Sequence, residues 1–193
     1  MSTVKSKKLQ VGTDASASNN FTIYQPATPD GTLRIGVGNA DSPTEVGQFN
    51  ANGYKPVQPV AFYVDRTANQ SISANTNTKV AWTSERFDTN SNFDNATNYR
   101  FTPTVAGYYQ LNAHVSWNGL GTTQGNIYIY QNGSNISKTY TVGSGFGYYN
   151  SINIVAYANG TTDYFEIYVR NSSADNVTSN NQSHFSGILI AQA

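Results

Sequence analysis

The chain contains no cysteine. Disulfide bonds, thiolate zinc sites and cysteine nucleophiles are therefore excluded. Small secreted β-domains often carry disulfides, so their absence favours assembly in a reducing cytoplasm. Residues 1–10 also lack the apolar run of a signal peptide. No stretch approaches the ~20 apolar residues of a membrane-spanning helix, and we expect no membrane partner.

Charge is equally scarce. Only 11% of the residues are charged, and 11 basic residues balance 11 acidic ones, so the formal net charge is zero. Nucleic-acid binding needs clustered Lys and Arg to displace counterions. The basic cluster of Lys5, Lys7 and Lys8 is interpreted as a solvated end, with contact to a negatively charged partner surface as the alternative. We therefore expect no nucleic-acid partner.

Aromatic and small polar residues fill the sequence instead. There are 14 Tyr and 9 Phe, which suit half-buried pleated surfaces, whereas strong helix formers are scarce. A period-two pattern places Tyr109, Leu111, Ala113, Val115 and Trp117 on one face of a strand. The pairs Asn132-Gly133 and Asn159-Gly160 are turn signals. Roughly ten short strands separated by turns predict a β-sandwich or jelly roll.

Two domains are predicted, with a boundary near Pro59. Residues 1–58 contain two β-like runs, Phe21–Tyr24 and Thr32–Val37, joined by a turn-forming Pro26–Gly31 segment. They hold too few large apolar side chains for an independent core, so this segment is predicted to be an extended β-rich docking arm. Residues 59–193 contain the strong strand signals and form the predicted head.

The head resembles the C1q/TNF-like globular domain. The resemblance rests on the spacing of Trp82, Asp88, Phe93 and Phe101, and on a hallmark of an aromatic, five residues, Gly, one residue and Tyr, which is Phe101 to Tyr109 here. Phe-Ser-Gly before an apolar run, at residues 185–190, resembles the closing strand of that family. Trp in place of the usual Phe at position 82, one extra residue before Phe101, and the smaller Leu111 and Ala113 depart from the pattern.

The resemblance implies a jelly roll whose first and last strands are adjacent, and a homotrimer packed around a three-fold axis through aromatic faces. The residues expected to form the core or the trimer are Trp82, Phe93, Phe101, Gly107, Tyr109, Leu111, Phe185 and Gly187. Six tyrosines are candidates for the interface or for packing within one subunit: Tyr108, Tyr128, Tyr130, Tyr148, Tyr149 and Tyr168.

The N-terminal segment resembles a different group. Residues 8–13 (Lys-Leu-Gln-Val-Gly-Thr), 19–23 and 26–33 are similar to openings of tailed-bacteriophage fibre and other virion-surface proteins. This resemblance implies a structural protein of the virion, assembled in the bacterial cytoplasm. The expected partners are other copies of the chain, capsid or tail proteins and, for a fibre tip, a host receptor or glycan.

No arrangement typical of catalysis stands out, and the chain is predicted not to be an enzyme. His114 and His184 are interpreted as structural residues. Alternating oxygen side chains at Asp88, Asn90, Asn92 and Asp94 resemble a hard-cation loop, but the expected glycine and closing glutamate are missing. Ordinary turn chemistry is favoured there, with calcium as the alternative, and no cofactor is expected.

Several functions stay open at this level. The first is a trimeric virion-surface protein that docks by its arm, either as a capsid decoration (cement) protein or as a short tail fibre. A receptor-binding fibre tip, a free C1q-like binding module and a virion esterase or glycosidase are the alternatives. The absence of a shaft favours a compact decoration trimer or a stubby fibre, whereas paired carboxylates would be needed for a glycosidase.

Overall fold

The computed structural model describes residues 8–56, 59–118, 123–143, 148–178 and 182–193. Contacts divide the chain into two compact units, Met1–Pro59 and Val60–Ala193. Nearly all regular structure is β, and one 3-10 turn at Ala17–Asn19 is the sole helical element of the described residues. Lys5, Lys7, Val57 and Gln58 lie outside the described residues.

The first unit is one antiparallel meander. Its strands are β1 (Lys8–Val11), β2 (Phe21–Tyr24), β3 (Leu33–Val37), β4 (Thr44–Asn50) and β5 (Gly53–Pro56), paired in chain order. The predicted runs at Phe21–Tyr24 and Thr32–Val37 correspond to β2 and β3. Three further strands flank them, so the arm is a five-stranded antiparallel sheet.

The second unit is an all-β sandwich of two antiparallel sheets. Its strands are β6 (Ala61–Asp65), β7 (Gln70–Ile72), β8 (Thr78–Lys79), β9 (Ser84–Asp88), β10 (Phe93–Asp94), β11 (Arg100–Phe101), β12 (Gly107–Trp117), β13 (Thr123–Gln131), β14 (Ser134–Gly143), β15 (Tyr148–Ala158), β16 (Phe165–Asn171), β17 (Asp175–Val177) and β18 (His184–Gln192).

The strand order is that of a jelly roll. One sheet runs β7-β17-β12-β18-β6-β9, with β15 on the free edge of β12, and the other runs β10-β11-β16-β13-β14, with β8 beside β16. The first head strand, β6, pairs with the last, β18, which confirms the predicted closure. The short strands β7, β9, β10 and β17 were not predicted, because runs of two to five residues carry little periodicity.

Two turn features explain the local chain path. Asn132 and Gly133 both have positive φ, 53° and 77°, and they close the β13–β14 hairpin as the Asn-Gly signal predicts. At Gly107 the carbonyl oxygen of Ala191 occupies the space that a Cβ would need, and the Leu189 Cδ1 lies 2.7 Å from it. Only glycine lets β18 approach β12 this closely.

The core lies between the two sheets and is rich in aromatic rings. Phe62 is its centre, with ring centroids 4.2 Å from Phe101, 5.2 Å from Phe93 and 4.9 Å from Phe185. Phe101 also meets Tyr109 edge-on at 5.4 Å. These contacts bridge the sheets, because β6 and β18 belong to one and β10 and β11 to the other.

Replacing Phe101 by alanine tests this centre. Phe101 is fully buried, so we expect the Phe101→Ala head to lose about 3–5 kcal/mol of unfolding free energy, from lost burial and the cavity left behind. Chemical denaturation measures the loss. Tyr140→Ala is the matched control, because Tyr140 is 60% exposed and its truncation should change stability by no more than about 0.5 kcal/mol. Equal effects at both positions would contradict the assignment.

Candidate functional site

The residues expected to form core or trimer lie inside a single head. Trp82, Phe101, Tyr109, Leu111 and Phe185 are fully buried, and Phe93 is 7% exposed. Gly187 is packed beneath Phe62 and Leu111, whose carbons lie 2.6 and 2.8 Å from the position of a Cβ. Gly107 is buried against β18. This set holds the two sheets together, and any surface between subunits must use other residues.

The outward side of the seven-stranded sheet is the candidate interaction surface of the head. Its strongest feature is that the three adjacent strands β15, β12 and β18 contain no Asp, Glu, Lys or Arg. We call it the ladder face. Its outward residues, taken strand by strand, are Phe87, Tyr63, His184, Ser186, Ile188, Tyr108, Gln110, Asn112, His114, Tyr149, Ser151, Asn153, Val155 and Tyr157.

Exposed apolar and aromatic groups gather at one end of the ladder face. Tyr108 and Tyr157 are directly opposite each other on β12 and β15, 5.6 Å apart and 48% and 44% exposed. Val155 and Ile188 flank Gln110 in the next row and are 56% and 40% exposed. Water reaches all of these groups, although burying them would be favourable.

At the other end, five rings form a continuous stack across five strands. The ring centroids are 6.3 Å apart for Phe87–Tyr63, 5.2 Å for Tyr63–His184, 5.5 Å for His184–His114 and 5.4 Å for His114–Tyr149. Register produces this ladder, since His184 lies opposite both His114 and Asp65, and Tyr63 lies opposite Phe87. Each histidine therefore packs between two neighbouring rings.

The surroundings of both imidazole rings favour their uncharged form. Burial lowers the pKa of His114 and of His184, and the neighbouring His114 lowers that of His184 further. Asp65 acts in the opposite direction on His184, but its carboxylate accepts a hydrogen bond from Arg86 at 2.6 Å. The Nδ1 of His114 lies 2.8 Å from the Ser151 hydroxyl. Protonating both rings would place two cations face to face.

The candidate tyrosines divide among three environments. Tyr108 and Tyr149 lie on the ladder face. Tyr148 is buried against Trp117, with centroids 5.9 Å apart, and its hydroxyl accepts a hydrogen bond from Asn171. The remaining three, Tyr128, Tyr130 and Tyr168, cluster on the outer side of the other sheet. Sequence inspection missed Tyr63, Phe87 and Tyr157, although period-two alternation in β15 was a visible signal for Tyr157.

The oxygen-rich segment around Asp88 has the geometry of turns. Asp88 accepts hydrogen bonds from the backbone N–H groups of Asn90 and Phe93. Asp94 accepts them from residues 96, 97 and 98. Together these bonds, the one from Thr97 foremost, lower the pKa of Asp94 to about 2. Among the described residues, no group of three or more His, Asp or Glu side chains is placed to hold a metal ion.

No family model matches the chain, and no curated protein matches it. Solved structures do: murine APRIL at pH 8.5 and at pH 5.0 aligns with 69% of this chain and 100% of its own, at 12% identity, with TM-scores of 0.53 and 0.54. Eiger TNF from S. frugiperda covers 70% of this chain and 94% of its own at 13% identity, with a TM-score of 0.48. The similarity to APRIL confirms the TNF-like jelly-roll fold, and at 12% identity it shows the fold alone.

Within the described chain, no helix has the length and apolar character needed to span a bilayer.

The stacked imidazoles predict a pH dependence. Because both pKa values lie below the ordinary 6.5, the folded head binds fewer protons than the unfolded chain at acid pH. This contribution to stability is therefore fully present above about pH 6.5 and is lost as the pH falls below it. We expect the melting temperature of the chain to decrease between pH 7 and 5.

A variant with both His114→Gln and His184→Gln is the control. It keeps polar side chains on the ladder face but cannot titrate there, so its melting temperature should change less over the same interval. Parallel curves for the two proteins would show that other groups cause the pH dependence.

Proposed function

We propose that this chain is a bacteriophage virion-surface protein that assembles as a homotrimer, with the arm toward the particle and the head projecting from it. The ladder face is the observation that carries the proposal. It is free of charge along the three adjacent strands β15, β12 and β18, and it exposes Tyr, Val and Ile side chains. Large apolar patches on soluble proteins mark interaction sites.

A second copy of the same face is the partner that this chemistry fits. Interface centres are enriched in aromatic residues and depleted in charge. The strands β12, β15 and β18 carry no charge that could repel a copy of the same face, and the Asp65 carboxylate on β6 is already paired with Arg86. Closed symmetric assemblies are the common outcome for identical chains. Three copies agree with the C1q/TNF-like resemblance of the head, which implies packing around a three-fold axis.

The proposed mechanism is binding, without chemistry. The carboxylates of Asp88 and Asp94 are engaged by backbone N–H groups, and those of Asp65 and Glu166 by Arg86 and Lys79. Glycoside hydrolysis requires two free carboxylates that face each other across a cleft, and these four carboxylates are already engaged. The virion assignment itself is supported by the resemblance of segments within residues 8–33 to openings of phage virion-surface proteins. It covers two possible roles, a capsid decoration protein and a short tail fibre.

Introducing a charge into the ladder face tests the homotrimer. Sedimentation of the wild-type chain at micromolar concentration should give the mass of three 21.0 kDa subunits. Val155→Asp should yield monomers, because unpaired carboxylates buried at an interface each cost several kcal/mol. Tyr140→Asp is the matched control, since Tyr140 is similarly exposed but lies on β14 of the other sheet. A wild-type monomer, or a Val155→Asp trimer, would refute the proposed interface.

Removing the arm tests the division of labour. A chain beginning at Pro59 keeps the complete head core and should remain trimeric, but it should no longer decorate particles that lack the native protein. Electron microscopy of particles mixed with either protein measures decoration, and its position separates capsid from tail. Decoration by the truncated head at the level of the full chain would place attachment in the head instead.

A further inference from the structure

One side of the arm sheet is predominantly apolar, with Thr44 opposite Val37 as a polar member at its end. Register places Leu9 opposite Ile23, Val11 opposite Phe21, and Leu33 opposite Phe49. The cross-strand neighbours continue the surface through β3, where Ile35 pairs with Ile23 and Val37 with Phe21. We call this side the arm apolar face, and it consists of Leu9, Val11, Phe21, Ile23, Leu33, Ile35, Val37 and Phe49.

Burial in the arm is inverted relative to an ordinary sheet. On the apolar face, Leu9 is 58% exposed, Val11 56% and Phe21 50%. On the opposite side, Thr22 is fully buried, and so is Asn20 at the entry to β2. A sheet needs a second layer over its apolar side to form a core, and the described strands of the arm form a single layer.

Polar contacts close the other side. Asn20 donates to the Asp14 carbonyl and to the Asn39 side chain, and Thr22 donates to the Gly38 carbonyl. Arg34 pairs there with Asp30 at 2.6 Å and Glu45 at 3.0 Å. The charged side chains of Asp30, Arg34 and Glu45 therefore lie off the arm apolar face.

We propose that the arm apolar faces of three chains pack together in the trimer, so that the arms form one base with a shared hydrophobic core. This inference rests on the proposed homotrimer for its number of copies. Only residues 57–60 join β5 of the arm to β6 of the head. So short a linker keeps the three arms of a head trimer at a high effective concentration. An uncharged apolar sheet face is compatible with copies of itself, and the polar sides then face outward.

The shared base would be formed before the protein docks on a particle. The arm would not wait for the particle to become ordered, because the arms of the other two chains cover its apolar face during trimer assembly. The particle would meet a preformed three-chain unit through polar side chains such as Arg34, Glu45 and Gln48.

Single-cysteine variants of the full-length protein test this, since the chain has no native cysteine. Phe21→Cys and, separately, Leu33→Cys report on the arm apolar face. Gln10→Cys is the control, because Gln10 lies opposite Thr22 on the polar side of the same sheet. Each maleimide rate is divided by that of the same variant unfolded in guanidinium chloride, and the mass of each variant is measured by sedimentation.

We expect trimers in which the apolar-face thiols react roughly tenfold more slowly than the Gln10→Cys thiol, because thiol reactivity follows exposure. A short bis-maleimide should join copies through those thiols after longer incubation. Trimers with equally reactive thiols at all three positions would overturn the shared base but not the homotrimer. The arm apolar face would then be free to bind a protein of the virion. Monomers would refute the homotrimer, and the shared base with it, whatever the rates.

Discussion

The contact between Phe62 and Phe101 is the one on which the head depends. Their rings are 4.2 Å apart and belong to strands of different sheets, so this stack and its neighbours Phe93 and Phe185 hold the sandwich closed. A β-sandwich stays together through the interdigitation of its two inner faces. With the interior fixed in this way, the alternation of each strand determines which side chains remain on the outside.

That alternation produces two outer surfaces of different character. The ladder face has no charge along β12, β15 and β18, and it presents rings and aliphatic groups to solvent. The outer side of the other sheet carries Lys79 paired with Glu166 at 2.6 Å and Lys138 over the ring of Tyr128. Side chains that are already paired within a subunit suit a permanently solvated surface, whereas the ladder face gains by being covered.

The arm and the head share one physical problem, an apolar surface that the single chain leaves uncovered. In the head this surface lies outside a complete core, so a monomeric head could fold. In the arm it is one side of a single layer, so the proposed shared base would couple folding to association there. Under that proposal, the stability of the arm would depend on protein concentration, whereas the core of the head is formed by one subunit.

The sequence by itself determined the all-β class, because strand-like alternation and turn signals recur along the head, and the resemblance of Phe101, Gly107 and Tyr109 to the C1q/TNF-like hallmark pointed to the jelly roll and to much of its core. It also displayed the alternation of Leu9 with Val11 and of Phe21 with Ile23. Only the tertiary structure decided that Phe62 is the centre of the core, that His114 and His184 stack, and that the apolar side of the arm is the open one. Those outcomes depend on register between strands far apart in the chain, and a shift of one residue would turn each side chain to the opposite face.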